Sequence, residues 1–363
     1  MQFIPQGPDV PEALLQAHAE GKVVFFCGAG ISIPAGLPGF KDLAIKIYKD
    51  LSPGDRTPAE KQAIKLKQFD RALGLLEARL PGQRLALTMR RTLADILLKP
   101  KLDKVNSTKT HAALLDLACH QDLKVRLVTT NFDRLFEPEI EKIIVDPNRT
   151  ISTYVAPLLP IPKKTRWDGL VYLHGRLPPL LPADTESHRV QDEQALENLV
   201  ITSGDLGRAY LLERWAARFI SELLRNYVIC FVGYSLDDPI MRYVMDARDV
   251  DMRQGEGKLP AYQFIGSLAM AGVVSNESIT PIFYDVKDGH AALHKTLDKW
   301  ASSVRDGASG AEEIVLDCAL RYPTQSTAQD KFAERLYWAL SHPSGLPAKC
   351  FAELDPVPTL AWL

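Results

Sequence analysis

Two textures alternate along this chain. Short runs in which every position is apolar are separated by longer stretches in which apolar residues recur every three or four positions, a pattern that predicts strands alternating with helices. Val23–Cys27 is the first wholly apolar run and flows straight into Gly28. Val125–Thr129, Leu170–Leu173, Val228–Val232, Tyr262–Ile265 and Pro281–Tyr284 read as further strands, mostly apolar, with Arg126, Thr129 and Gln263 as the polar interruptions. A strand apolar on both faces has to be covered on both faces, which is the situation of a parallel sheet between helix layers. Pro11–Glu20 reads as a helix closed by Gly21, and residues 42–120 as a helical insertion broken at Pro53, Pro81-Gly82 and Pro100. Asp205 reads as the N-cap of one long helix, Arg208–Arg225, with Leu211, Leu212, Trp215, Phe219 and Leu223 on its apolar face. Further helices are expected after Asp237-Asp238-Pro239 and from His290 to Trp300, and the passage Pro157–Pro162 reads as an ordered loop. The expected architecture is a doubly wound parallel sheet over residues 1–305. Residues 306–310, DGASG, read as a linker to a helical tail (306–363). That tail has an amphipathic helix around Ala328–Leu340 and an apolar end, Ala361-Trp362-Leu363, which suggests a continuing chain or a docking contact.

Composition narrows the function classes. The 363 residues are 46% hydrophobic and 24% charged, with a formal net charge of −2. No global basic field draws such a chain to nucleic acid or to anionic lipid, so neither is expected as a partner. No apolar run reaches the ~18 residues of a membrane span. The first residues, MQFIPQGPDVPEALLQ, lack a basic segment followed by an apolar one, so the expected location is the cytoplasm. The five cysteines (27, 119, 230, 318 and 350) include no pair two to four residues apart. A zinc knuckle is therefore not expected, and no metal site is assigned. Cys27 and Cys230 read as buried thiols.

Chemistry is expected where strands end. In an open α/β sheet, ligands bind outside the carboxyl ends of the strands, and four strands here end in unusual residues. Gly28-Ala29-Gly30-Ile31-Ser32 offers backbone N–H groups that can approach a pyrophosphate, or is simply a tight turn. The third glycine of a dehydrogenase fingerprint is missing, because position 33 is Ile. Thr130-Asn131-Phe132-Asp133 places an amide and a carboxylate where ribose hydroxyls or a water could be held; Asp133 as a helix cap and Asn131 as a turn former are the plain alternatives. His174-Gly175 sets an imidazole at a strand end, able to take a proton near neutral pH or to serve only as a structural residue. Gly233-Tyr234-Ser235-Leu236 again joins a glycine to a hydroxyl, with helix capping by Ser235 as the alternative. The other seven histidines, His111 and the His290/His294 pair among them, read as structural or surface residues.

Taken in order, these four sites resemble the sirtuin family. GAGIS (28–32), followed by Gly36-Leu37-Pro38-Gly39-Phe40-Lys41, is similar to the family's GAGIS…GIPDFR. Thr130–Asp133 is similar to its QNID, His174-Gly175 to its HG, and Gly233–Leu236 to its GTSL. The resemblance spans residues 21–300 and implies a Rossmann-like sirtuin fold that acts on NAD as its substrate, with no separate cofactor. It implies catalytic roles for Asn131 and His174, and NAD binding by Gly28, Ala29, Gly30, Ile31, Ser32, Phe40, Asp133, Gly233, Ser235 and Leu236. Three departures matter: Gly39 and Lys41 replace Asp and Arg, Thr130 replaces Gln, and the zinc cysteines of the protein deacylases are absent.

The overall pattern looks like the sirtuin-type domains of bacterial anti-phage defence proteins. The implied activity is NAD hydrolysis to nicotinamide and ADP-ribose, held in check by self-association, another domain or a partner. A zinc-free deacylase or ADP-ribosyltransferase, a nucleotide sensor without catalysis, and an assembly module with a vestigial site are the competing expectations. The polar stretch from Leu180 to Thr202 is a candidate lid.

Overall fold

The computed structural model describes residues 1–363 except 53, 81–84, 99–106, 120–122, 145–149, 180–185, 237–238, 254–258, 267–278, 322–330, 357 and 359–363. The expected breaks at Pro53, Pro81-Gly82 and Pro100, the acids at 237–238, the first six residues of the candidate lid (180–185) and the last five residues lie outside the described residues.

Helix α1 (Glu12–Ala19) leads through Gly21, at φ 67°, into β1 (Val23–Cys27). A 3₁₀ segment (Ala29–Ala35) follows, then the helical insertion: α2 (Phe40–Leu51), α3 (Pro58–Lys65), α4 (Phe69–Arg79), α5 (Leu85–Leu98) and α6 (Lys109–Ala118). Next come β2 (Arg126–Thr129), α7 (Glu137–Ile143), β3 (Ser152–Val155), β4 (Gly169–Tyr172), α8 (Glu186–Glu197) and α9 (Ser203–Gly207). A π-helical turn (Arg208–Leu212) and α10 (Trp215–Asn226) lead to β5 (Val228–Val232). The chain continues through α11 (Pro239–Arg253), β6 (Ala261–Gly266), β7 (Ile279–Tyr284), α12 (Lys287–Arg305), α13 (Ala308–Cys318), α14 (Phe332–Leu340) and α15 (Leu346–Ala352).

The seven strands form one parallel sheet in the order β3-β4-β2-β1-β5-β6-β7. The order reverses at β1: the chain leaves it towards β2 and returns on its other side as β5. This is a Rossmann-like α/β fold with a topological switch point beside β1. The alternation expected of a doubly covered sheet is visible residue by residue. Val23, Phe25 and Cys27 of β1 enter the core beneath α1, α6 and α12, while Val24 and Phe26 enter the opposite core with α10 and α11. In β5, Val228, Cys230 and Val232 face the first side, and Ile229 and Phe231 the second. The helical insertion has a core of its own, in which Ile47, Leu73, Leu76 and Leu93 meet Phe132, Leu177 and Leu199 from the loops above the sheet.

Three expectations change. First, Asp205 is not an N-cap. Thr202 caps α9 and Asp205 is the reciprocal partner three residues on, its carboxylate accepting from the N–H of Thr202 at 2.9 Å and pairing with Arg90 at 2.7 Å. Second, residues 208–225 are not one helix. The π-helical turn widens the spiral and Arg214, at φ 62°, stops it. This rotates Tyr210 inward, 2% exposed, and leaves Leu211 and Leu212 outside at 64% and 80%. Third, DGASG is no free spacer, and the described helices of the tail pack into the core. Helix α13 begins at Ala308, and Ala311, Ile314, Phe332 and Leu336 complete the core against α12. Strand β3 was not expected, because the four positions of an edge strand are all only half-buried and carry no apolar alternation.

Among the described residues, no helix is long and apolar enough to cross a membrane, and no three His, Cys, Asp or Glu side chains gather as metal ligands.

Candidate active site

Strand register brings the motifs to one level. Cys27 pairs with Thr129 on one side and with Val232 on the other, and Thr129 pairs with Tyr172. The last residues of β1, β2, β4 and β5 therefore form a single row, and the four motifs emerge from it side by side. Above that row, roofed by the helical insertion, lies a cavity of about 360 Å³. Ala29, Gly30, Ser32, Phe40, Asn131, Asp133, His174, Gly233 and Ser235 line it.

Three sequence-expected residues do not reach its wall. Ile31 is fully buried in the core beneath the sheet. Leu236, at φ 55°, packs with the other core against α11. Gly28 lies under the Gly233–Tyr234 loop: a Cβ there would sit 2.6 Å from the Gly233 carbonyl oxygen.

The glycines have a tighter function than pyrophosphate access alone. Gly30 N–H donates to the Gly233 carbonyl at 2.9 Å, and a Cβ on Gly233 would stand 2.6 Å from the Ile31 nitrogen. The two loops interlock backbone to backbone, and Gly233 is also held at φ 61°. Gly233→Ala is expected to cost about 1–3 kcal/mol from the strained backbone alone, with further loss from the clash. It should lower the thermal midpoint and weaken nucleotide binding together. A variant with parental melting and binding would show that the loops separate freely.

Polar geometry concentrates at β2 and β4. Ser32 Oγ–H donates to Asp133 Oδ2 at 2.9 Å, Asn131 Nδ2–H donates to Ser32 Oγ at 3.1 Å, and His111 Nε2 lies 3.2 Å from the same oxygen. Asn131 is anchored by its backbone N–H donating to Thr129 Oγ1 at 3.1 Å. Asp133 Oδ1 accepts the N–H of Leu135 at 3.1 Å in a turn, and α7 starts only at Glu137, so Asp133 caps no helix. Burial pushes the Asp133 carboxyl above its usual range, against the pull of the Leu135 and Ser32 hydrogen bonds. His174, 8% exposed, has its Nε2 3.0 Å from the Tyr210 hydroxyl, and its carbonyl accepts from Val200 N–H at 2.9 Å.

Sequence reasoning missed several contributors. Tyr210 was invisible because an uninterrupted helical register places its neighbours, Leu211 and Leu212, on the inner face. His111 reads in the sequence as one of the structural histidines, yet it touches the site through Ser32. Lys41, Lys67, Phe69, Asp70 and Tyr234 also line the cavity. Lys67 and Phe69 come from the α3–α4 corner, and no local pattern announces which corner of a helical insertion will fold over a sheet.

Residues 125–267 match the SIR2-like domain family. The match holds the Asn131/Asp133, His174 and Gly233–Leu236 segments; the Gly28–Ser32 loop precedes it and joins them in space. The chain is also 31% identical over 343 residues to the uncharacterized protein y4cA of Sinorhizobium fredii. That alignment takes in 92% of this chain and 27% of the relative, so the chain spans about a quarter of the relative's length. The chain thus carries a SIR2-like, sirtuin-type domain on a Rossmann-like sheet.

Proposed function

We propose that this chain is an NAD glycohydrolase that splits the nicotinamide–ribose bond to give nicotinamide and ADP-ribose, and that it acts as a regulated, NAD-depleting effector of anti-phage defence. The observation that carries the reading is the convergence of Asn131, Asp133, Ser32 and His174 on one cavity at the switch point of the sheet.

The nicotinamide of NAD is a cationic, and therefore good, leaving group. Cleavage passes through an oxocarbenium-like state and needs positioning more than covalent assistance. In the proposed reaction, water adds to the anomeric carbon as the carbon–nitrogen bond breaks. The bonding pair goes to the nicotinamide ring, which leaves neutral, and the water gives up one proton. Asn131 holds the water or the nicotinamide ribose. His174 takes the proton, with Tyr210 fixing its ring. The interlocked Gly28–Ser32 and Gly233–Ser235 loops face the pyrophosphate and adenosine side, where Lys41 and Lys67 supply positive charge.

Control is proposed to enter through assembly. Leu211 and Leu212 are exposed on the same π-helical turn that carries Tyr210 inward to His174. A second copy or a partner resting on them would act on the catalytic imidazole through one side chain.

The test is chromatography of NAD incubated with purified protein, in chelator, across a wide range of protein concentration, with mass followed by light scattering. Nicotinamide and ADP-ribose should appear in equal amounts without added metal, and turnover per chain should rise as assemblies form. Activity lost in chelator and restored by zinc would remove the metal-free mechanism. Release that requires an acyl-lysine peptide would make the chain a deacylase instead. Full turnover in a strictly monomeric sample would remove the assembly requirement.

A further inference from the structure

Ser32 Oγ sits at the meeting point of three polar groups: Asp133 Oδ2 at 2.9 Å, Asn131 Nδ2 at 3.1 Å and His111 Nε2 at 3.2 Å. A hydroxyl has one proton to give and two lone pairs to receive. The carboxylate can only accept, so Ser32 gives its proton to Asp133. Its two other neighbours must then donate, Asn131 through its amide nitrogen and His111 through Nε2–H.

His111 is outside the cavity wall. It belongs to α6, is fully buried, and its ring stands edge-on to Phe136 with centroids 4.8 Å apart. From α12, His294 is the titratable group that faces it electrostatically. The Nδ1 of His111 has no hydrogen-bond partner among the described residues. With Nε2 protonated, the only fault is one bare acceptor. In the other tautomer, Nδ1–H is a buried donor with no acceptor, and a bare Nε2 faces a hydroxyl whose proton is already committed. A buried unpaired donor is the costlier arrangement, so Nε2–H is the form the surroundings select.

We propose that His111 is a positioning residue that, with Asp133, fixes the rotation of the Ser32 hydroxyl and through it holds the Asn131 amide in one orientation. Ser32 gives its proton to Asp133 and one lone pair to His111, so the lone pair left facing Asn131 can only receive; Nδ2 therefore points to Ser32, and this turns Oδ1, an acceptor, towards the cavity. An acceptor there takes a proton from a water and leaves that water's oxygen lone pair free to point at an electrophilic carbon. An amide NH₂ there would engage the lone pair instead. The inference rests on the NAD-hydrolase reading only for what the acceptor acts upon.

The experiment has two arms. In the first, protein labelled with ¹⁵N-histidine is examined by long-range nitrogen–proton correlation. His111 should show a protonated Nε2 and a bare Nδ1, unchanged between about pH 5 and 8, the range in which an ordinary histidine titrates. An Nδ1–H tautomer overturns the proposal whatever the chain does with NAD. In the second arm, His111→Leu should lower kcat roughly 10–100-fold, the usual effect of removing an outer partner that orients a reacting group, while KM for NAD stays nearly constant. His111→Gln, whose amide nitrogen reaches the place of Nε2, should restore most of the loss. Equal turnover by the Leu variant and the parent overturns the positioning role. Absence of NAD turnover in the assembled parent overturns the hydrolase reading and leaves the tautomer result standing. If the variants do not fold, the tautomer alone decides.

Discussion

Asn131→Ala and His174→Ala are each expected to abolish NAD turnover while leaving a folded protein that still binds nucleotide. Loss of a positioned base, or of the group that holds the attacking water, costs about 10²–10⁴-fold. Both residues sit on loops fixed from behind by the sheet register and contribute little to either core, so the fold should survive. Their surroundings separate the two losses. Asn131→Ala removes one donor from Ser32 but leaves the Asp133 and His111 contacts in place. His174→Ala takes the imidazole neighbour away from the Tyr210 hydroxyl. Burst-free steady-state assays on refolding-checked protein, with nucleotide binding measured separately by calorimetry, test the pair. Hydrolysis within about threefold of the parent, well short of that range, would refute the role given to that residue.

Much of the fold can be read from the sequence because a parallel sheet buried on both faces writes itself as continuous apolar runs. Val23–Cys27 and Val228–Val232 match β1 and β5 residue for residue. Where the physics is local, the site is legible too: a glycine, an Asn or a His placed immediately after such a run has to emerge at the carboxyl edge. The sequence is silent where the deciding contacts are distant. Tyr210 reaches His174 only because a π-helical turn shifts the inner face by one residue, and nothing in RAYLLERWAARF disfavours an unbroken helix. His111 lies 79 residues from Ser32 in the chain, and its importance comes from a three-way proton count that only geometry can set up. The glycines were read for what they admit, a phosphate. In the fold they are needed first for what they exclude, any atom between the Gly30 and Gly233 backbones.

The second large expectation is that acid destabilises this chain at a pH where most carboxylates are still ionised. His18, His111 and His294 are all held neutral by burial. His111 is pushed down to about 3 and His294 to about 4, from an ordinary 6.5, with their neighbours His294 and His290 adding a smaller push. Depressed histidines bind protons in the unfolded chain and not in the folded one. Stability is therefore complete above about pH 6.5 and falls as pH drops towards the folded values. Each group takes away up to ~1.4 kcal/mol per pH unit, so His111 and His294 amount to losses on the order of 5 and 3 kcal/mol over their full ranges. A typical domain has only about 5–15 kcal/mol in all. Asp133 and Asp116, whose carboxyls burial raises, work in the opposite sense and return stability as pH falls, which softens the decline. Asp9 and Glu60, held low by Lys331, the amino terminus and Arg79, add to the loss once the pH reaches the carboxylate range. Denaturant midpoints taken between about pH 7.5 and 5, on either side of an ordinary histidine's pKa, should fall steeply in the parent. They should fall less in His111→Gln and His294→Gln, which keep a polar group and cannot titrate. A flat profile across that interval, or a slope unchanged in both variants, would mean that these rings are not held neutral by the fold.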